Sequence, residues 1–121
     1  MPDKGHKQSF GEILREKRLA HGLSLRKFAE LVGVSPTYVS QIEQDKVDPP
    51  TAERVRRMAE LLGEVADELI ALAGRVPEDL PAIIQRRPVQ MPELLREANG
   101  LTADQLRKLV ERAKKMKEKD K

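Results

Sequence analysis

The side chains that could do acid–base or metal chemistry are scattered along this sequence and form no motif. Three acidic pairs are present: Asp67/Glu68, Glu78/Asp79 and Glu93/Glu97. Each pair falls on a polar helix face or in a loop without a pocket signature around it, so surface charge explains them better than catalysis. His6 and His21 have no histidine or carboxylate neighbour at ligand spacing, and we expect no metal site.

Nucleophiles are equally scarce. The chain has no cysteine, which excludes a disulfide framework, a thiolate nucleophile and a cysteine-based zinc site. No serine follows Ser40, which excludes a self-cleaving catalytic domain with a serine nucleophile. A phosphate-cradling glycine loop is also missing. We therefore expect neither enzymatic activity nor a cofactor.

Composition favours packed helices. Hydrophobic residues make up 39% of the 121 residues, charged residues 36% and aromatic residues 2%, a balance that suits helix packing by Leu, Ile, Val and Ala. The formal net charge is +3, and neither residues 1–65 nor residues 66–121 are strongly basic. Any contact with a polyanion must then be local. The polar N-terminus and the lack of a long apolar stretch predict a soluble, cytoplasmic protein without a membrane segment.

The most informative segment is Leu25–Gln44, which has the spacing of two short helices joined by a tight turn. Ser24 can cap a helix over residues 25–32, and Gly33 stands where that helix needs a left-handed residue. Ser35 offers the next N-cap, with Pro36 at the first helical position. The pattern predicts a helix from Pro36 to about Gln44, with Val39 and Ile42 turned inward.

Three further helices complete a predicted domain at residues 9–74. Ser9 and Glu12 have capping-box spacing for a first helix that ends near Gly22. Thr51 can cap a fourth helix that ends at Gly63, and a fifth follows from Val65. We expect an all-α, five-helix bundle, preceded by a flexible arm at residues 1–8.

Residues 75–121 have a different texture, and we expect a short, Pro-interrupted helical extension there. Pro77, Pro81, Pro88 and Pro92 leave room only for short helices near residues 82–85 and 93–98. Thr102 and Gln105 can cap a last helix, and its basic tail from Lys114 is expected to fray. We expect its apolar stripe to pack on its own bundle and to pair with a twin subunit, and the alternative is that it binds a different protein. Four members of the stripe are the expected dimer or partner contacts: Leu106, Leu109, Val110 and Ala113.

Residues 9–73 resemble the Xre/Cro/CI-type helix-turn-helix family. The resemblance rests on the run LREKRLAHGLSLRKFAELVGVSPTYVSQIEQDKVDPP and the following AERVRRMAELLG. It implies a lambda-repressor-like bundle and a role in transcriptional control. Arg18 and Glu43 match a pair that forms a partly buried ion pair in such proteins, and we expect this pair to orient the third helix.

The resemblance also implies a set of double-stranded DNA contacts. Residues that match base-facing positions are Pro36, Thr37, Ser40 and Gln41. Their chemistry agrees, because Gln can bond bidentately to adenine, Thr and Ser bond flexibly, and Pro or Thr can touch a thymine methyl. Phosphate contacts are implied or expected at Ser24, Arg26, Ser35, Tyr38, Gln44 and Lys46. The sequence departs from the family at Leu25, where Gln is usual, and at Asp45, where Gly is usual.

The hypothesis that unites these observations is a homodimeric transcriptional regulator, a repressor, that binds a pseudo-palindromic operator with half-sites about 34–36 Å apart. Two alternatives keep the same DNA-binding half. In one, the chain is an antitoxin whose residues 75–121 neutralise a toxin. In the other, residues 75–121 are the target of a partner protein or of a regulatory protease.

Overall fold

The computed structural model describes residues 7–119, which form helices and no strand. Their bounds are α1 (Phe10–Ala20), α2 (Leu25–Val32), α3 (Pro36–Glu43), α4 (Ala52–Leu61), α5 (Ala66–Leu72), α6 (Leu80–Arg86), α7 (Gln90–Ala98) and α8 (Ala103–Lys119). The predicted all-α fold class is confirmed. The described chain divides into two compact units: unit 1, which ends at Glu78, and unit 2, which begins at Asp79. Of the arm expected at residues 1–8, only Lys7 and Gln8 lie within the described residues.

Unit 1 is built from capped helices around one apolar core. Ser9 and Glu12 form the predicted capping box, and Ser24, Ser35 and Thr51 each accept a hydrogen bond from a first-turn N–H of the helix that follows. Each cap satisfies a backbone donor that would otherwise lack a helical partner. The fully buried side chains of largest volume are Phe28, Leu14, Ile42, Met58, Val39 and Val55.

The turn between α2 and α3 has the geometry that its residues predict. Gly33 takes a left-handed conformation with φ +89°, and its N–H donates to the carbonyl of Ala29 at 2.8 Å. Ala29 is fully buried between the helices, where a larger side chain would hold them apart. This short connection fixes α3 across α2.

Unit 2 differs from the expectation in the length of its helices. α6 begins at Leu80 and α7 at Gln90, so Pro81 and Pro92 lie inside the first turns and do not interrupt the helices. Proline is tolerated there because first-turn N–H groups have no partner within the helix. α8 continues to Lys119, so the segment from Lys114 that was expected to fray is helical as far as it is described. Among the described helices, none is long and apolar enough to cross a membrane.

Candidate nucleic-acid interface

α3 is anchored from behind and polar in front. Val39 and Ile42 are 0% and 2% exposed and belong to the core of unit 1. Thr37 and Gln41, on the other side of the helix, are exposed. Pro36 is exposed at the first helical position, and Ser40 is partly buried. The helix therefore presents short polar side chains outward from a rigid base, which is the arrangement that reads base edges in a major groove.

These outward residues share one shallow depression in the surface. Its volume is about 440 Å3, and it is lined by Pro36, Thr37, Ser40, Gln41, Gln44 and Lys46. Gln44 Nε2 donates to Ser40 Oγ at 2.8 Å, which fixes the Gln44 side chain along the helix. The structure thus brings all four expected base-contacting residues together with two of the expected phosphate-contacting residues.

The end of α3 places Lys46 beside Gln41. The Lys46 N–H donates to the Gln41 carbonyl at 2.9 Å, and the Asp45 N–H donates to the Ile42 carbonyl at 3.1 Å. This pair of bonds is a Schellman ending, which requires a left-handed residue between the helix and Lys46. Asp45 supplies it with φ +59°. Asp is one of the few non-glycine types that adopt this conformation.

The starts of α2 and α3 keep donors available for an anion. Ser24 Oγ accepts from the Lys27 N–H at 3.0 Å, and Ser35 Oγ accepts from the Tyr38 N–H at 3.1 Å. Each hydroxyl hydrogen remains able to donate outward, because capping uses only the oxygen as an acceptor. Arg26 is exposed in the first turn of α2, whereas Leu25, at the position where the family usually has Gln, packs against the core.

A buried ion pair joins α1 to the end of α3. Arg18 Nε and Nη2 donate to the two carboxylate oxygens of Glu43 at 2.7 and 2.9 Å, and Arg18 Nη1 donates to the Leu23 carbonyl at 2.8 Å. The two residues are 5% and 7% exposed. The side-chain hydrogen bond to Glu43 raises the pKa of Arg18. A bidentate contact of this kind fixes direction as well as distance.

α1 also touches the end of α3 through a glycine. A Cβ added to Gly11 would lie 2.3 Å from the carbonyl oxygen of Ile42 and 2.9 Å from that of Glu43. Both neighbours are backbone atoms, so neither can rotate away. Gly11 is therefore needed for α1 to approach the C-terminal end of α3 this closely. No local pattern in the sequence marks this role, because Gly11 lies inside a helix, where glycine has no local signature.

Two arginines near the interface were also missed. Arg54, in the first turn of α4, lies with its guanidinium carbon 5.8 Å from the centroid of the Tyr38 ring, within cation–π range. Arg75 Nε and Nη2 donate to the carbonyls of Pro50 and Pro49 at 3.1 and 2.6 Å. These contacts stabilise the Tyr38 ring and the loop that follows α3. They join residues distant in sequence, which leave no local pattern to find.

The other expected contact residues lie in unit 2. Leu106, Leu109 and Val110 are 40%, 39% and 51% exposed, and Ala113 is also exposed. α8 therefore leaves its apolar stripe open within the described chain.

A comparison with models of known protein families finds a match to this chain. The family model described as "Helix-turn-helix" matches residues 14–69, which contain α2, α3 and the turn between them. Residues 14–69 are thus similar to helix-turn-helix domains of the Xre/Cro/CI type. Proteins of this family are DNA-binding transcription regulators. The match therefore supports a DNA-binding transcriptional regulator.

Solved structures similar to the chain include three regulators. SinR, the master regulator for biofilm formation, in complex with DNA is 26% identical over 50% of this chain and 97% of that chain, with a TM-score of 0.47. The P22 c2 repressor with a synthetic operator is 27% identical over 52% and 94%, with a TM-score of 0.48. The clp gene regulator ClgR from C. glutamicum is 29% identical over 54% and 83%, with a TM-score of 0.46. A comparison with curated protein sequences finds no match.

Proposed function

We propose that the chain is a sequence-specific repressor that binds a pseudo-palindromic operator as a homodimer. The observation that carries this proposal is the orientation of α3. Its apolar side, Val39 and Ile42, is buried in unit 1, and its polar side, with Thr37 and Gln41, is exposed. A helix held in this way is rigid enough to select bases by side-chain geometry.

We assign the sequence selectivity to the outward-facing side chains of α3. Gln41 has an amide that can pair bidentately with the N6 and N7 atoms of adenine. Thr37 and Ser40 contribute hydroxyls, and Pro36 and the Thr37 methyl can contact a thymine methyl. Because Gln44 is held on Ser40 at 2.8 Å, its amide points along the helix, and we assign it to a phosphate next to the bases.

Phosphate contacts surround this reading surface. The proposed set comprises Ser24, Arg26, Ser35, Tyr38, Gln44 and Lys46, and we add Arg54 to it because its guanidinium lies 5.8 Å from the centroid of the Tyr38 ring. These contacts set the register of the domain on the duplex and carry no sequence information themselves. The tie between Arg75 and the carbonyls of Pro49 and Pro50 supports the loop that bears Lys46.

The homodimer is supported by the open apolar stripe of α8. Leu106, Leu109, Val110 and Ala113 fall on one face of that helix and are exposed. Exposed apolar groups that lie side by side are stabilised when a second surface removes them from water. Pairing of two copies would present two recognition helices to half-sites about 34–36 Å apart.

Selection of binding sites from randomised duplex DNA tests the selectivity. The full chain should enrich a sequence with two-fold symmetry. Gln41→Ala should lose about 1–3 kcal/mol of discrimination at one base of each half-site. Gln90→Ala, which removes an exposed glutamine from α7, is the matched control and should select the wild-type sequence. An unchanged preference in Gln41→Ala would contradict the assignment.

The mass of the free chain in solution tests the homodimer. We expect a dimer, and we expect Leu109→Asp to weaken it by placing a charge in the covered stripe.

A second candidate is supported by the same exposed side chains: residues 75–121 bind a different protein, as in an antitoxin or in the target of a partner or protease. A monomeric wild-type chain would favour this candidate over the homodimer.

A further inference from the structure

α8 carries a straight stripe of cations. Lys108, Arg112, Lys115 and Lys119 are spaced at i, i+4, i+7 and i+11 in a continuous helix, so they fall on one side of it. All four are exposed. At a rise of about 1.5 Å per residue the stripe is about 17 Å long. We call these four residues the basic stripe.

The basic stripe has no ion-pair partner among residues 7–119. The cations elsewhere on α8 include two with partners: Arg107 pairs with Asp104, and Lys114 Nζ lies 3.3 Å from Glu111 Oε1. Within residues 7–119, none of the four stripe residues makes an ion pair or a side-chain hydrogen bond. Asp104, Glu111 and Glu118 lie on the line of the helix next to the stripe, and the first two of them pair with Arg107 and Lys114. The four cations of the stripe therefore face solvent without an ion-pair partner among the described residues.

The two units differ in net charge. Residues 7–78, which include the helix-turn-helix, contain 11 Lys/Arg and 12 Asp/Glu, a net charge of −1. Residues 79–119 contain 10 Lys/Arg and 6 Asp/Glu, a net charge of +4. Sequence-independent affinity for duplex DNA comes from cations that neutralise phosphates and release counterions. The unit that reads the bases is thus the poorer source of that affinity.

We infer that the basic stripe of α8 is a second DNA-contacting surface, which binds the phosphate backbone of duplex DNA without regard to sequence. This inference rests on the proposed function. Its length agrees with the ligand, because successive phosphates of one strand advance about 3.4 Å along the duplex axis and five of them cover the stripe. The recognition helix supplies selectivity, and the stripe supplies the salt-dependent part of the affinity.

Two matched triple variants of the full chain test the inference. The stripe variant carries Lys108→Gln, Arg112→Gln and Lys115→Gln. The control carries Arg107→Gln, Lys114→Gln and Lys117→Gln. Each removes one arginine and two lysines from the same helix, and glutamine preserves helix propensity. Their net charges are therefore equal. The control also breaks the pairs of Arg107 with Asp104 and of Lys114 with Glu111, whereas the stripe variant breaks no ion pair of the described residues.

Binding is measured by fluorescence anisotropy with a short labelled duplex of arbitrary sequence, between about 50 and about 200 mM salt. The stripe variant should lower the slope of log affinity against log salt by about 2.7, since each lost contact contributes about 0.9. Across this salt range the affinity of wild type then falls about 40-fold more than that of the variant. The control should change the slope by less than about one contact. Equal slopes in the two variants would overturn the inference.

Two further measurements separate the possible failures. Vesicles of phosphatidylcholine with phosphatidylserine are the lipid probe. One outcome is that the stripe variant stops binding these vesicles while its slope of log DNA affinity against log salt stays at the wild-type value. In that case the stripe binds membranes, and the DNA assignment is overturned. Selection from randomised DNA tests α3 separately. A chain that selects a sequence but has equal slopes in both variants refutes the stripe alone, whereas a chain that selects none refutes the proposed function.

Discussion

The two units of this chain solve the problem of stability differently. In unit 1 the buried apolar side chains of α1 to α5 form one core, with Leu14, Phe28, Val39 and Val55 at 0% exposure. In unit 2 none of the described side chains of α6, α7 or α8 is buried. Unit 1 therefore contains the apolar contacts that order it, whereas unit 2 has its backbone hydrogen bonds but leaves its apolar faces open.

The same contrast holds for charge. Unit 1 buries one ion pair, Arg18 with Glu43, inside the fold, where it joins two helices. It has further ion pairs at its surface, Arg56 with Glu53 and Glu60 and Lys17 with Glu64. Unit 2 has its ion pairs on the surface of α8, and its remaining cations are unpaired among the described residues. Unit 1 therefore has a buried ion pair that positions a helix, whereas the described ion pairs of unit 2 are all exposed.

Truncation of one apolar side chain in each unit tests this difference in burial most strongly. Phe28→Ala should lower the free energy of unfolding by about 3–5 kcal/mol, because it leaves a cavity in a closed core. Leu109→Ala removes a side chain that is 39% exposed. The unfolding midpoint of a dimer rises with protein concentration. The main effect of Leu109→Ala should be to make this rise smaller. Denaturant and thermal unfolding at several concentrations measure both, and equal concentration-independent losses would contradict the contrast.

The ion pairs offer a second comparison. Glu43→Gln leaves the Arg18 charge buried with no carboxylate and should cost about 3–5 kcal/mol of unfolding free energy. Arg107→Gln removes an exposed partner on α8 and should cost less than about 1 kcal/mol.

Replacing both buried partners, with Arg18→Met and Glu43→Leu together, should restore most of that stability, because no charge is then left unpaired. If the double variant is as unstable as Glu43→Gln, desolvation of the unpaired charge is not the cause. DNA binding by the double variant would then show whether the pair also orients α3.

The close approach of α1 to α3 gives a smaller effect. Gly11→Ala should lower unfolding free energy by about 1–3 kcal/mol, because the new Cβ meets backbone oxygens that cannot move aside. Gly33→Ala is the control. It meets no atom within 4 Å and should cost only the left-handed penalty of about 1–2 kcal/mol. A stable Gly11→Ala variant with unchanged DNA affinity would show that α1 can shift without moving the recognition helix.

The smallest expected effect lies at the end of α3. Asp45 has φ +59°, so Asp45→Gly should raise unfolding free energy by less than about 1 kcal/mol, and Asp45→Ala should lower it by a similar amount. Thermal unfolding of the two variants measures the difference. A midpoint that falls in both would mean that the Asp45 side chain stabilises this ending through its own contacts.

Local signals in the sequence determined most of the helices of unit 1. Serine, threonine and glycine at Ser9, Ser24, Gly33, Ser35 and Thr51 mark helix ends through bonds to neighbouring backbone, which act within a few residues. The inward side of α3 followed from the spacing of Val39 and Ile42 in the same way. The helix bounds of unit 2 were harder to predict, because proline marks a helix break in the interior of a helix but is accommodated in its first turn.

The tertiary structure alone decided how the helices of unit 1 support the site. Arg18 with Glu43, Arg54 with Tyr38, and Arg75 with the carbonyls of Pro49 and Pro50 each join residues separated by 16 to 26 positions. Spacing along the chain does not encode such distances. The need for glycine at Gly11 arises in the same way, from the approach of a second helix. The helix ends come from local hydrogen bonding, whereas the rigidity of the recognition surface comes from contacts that exist only after packing.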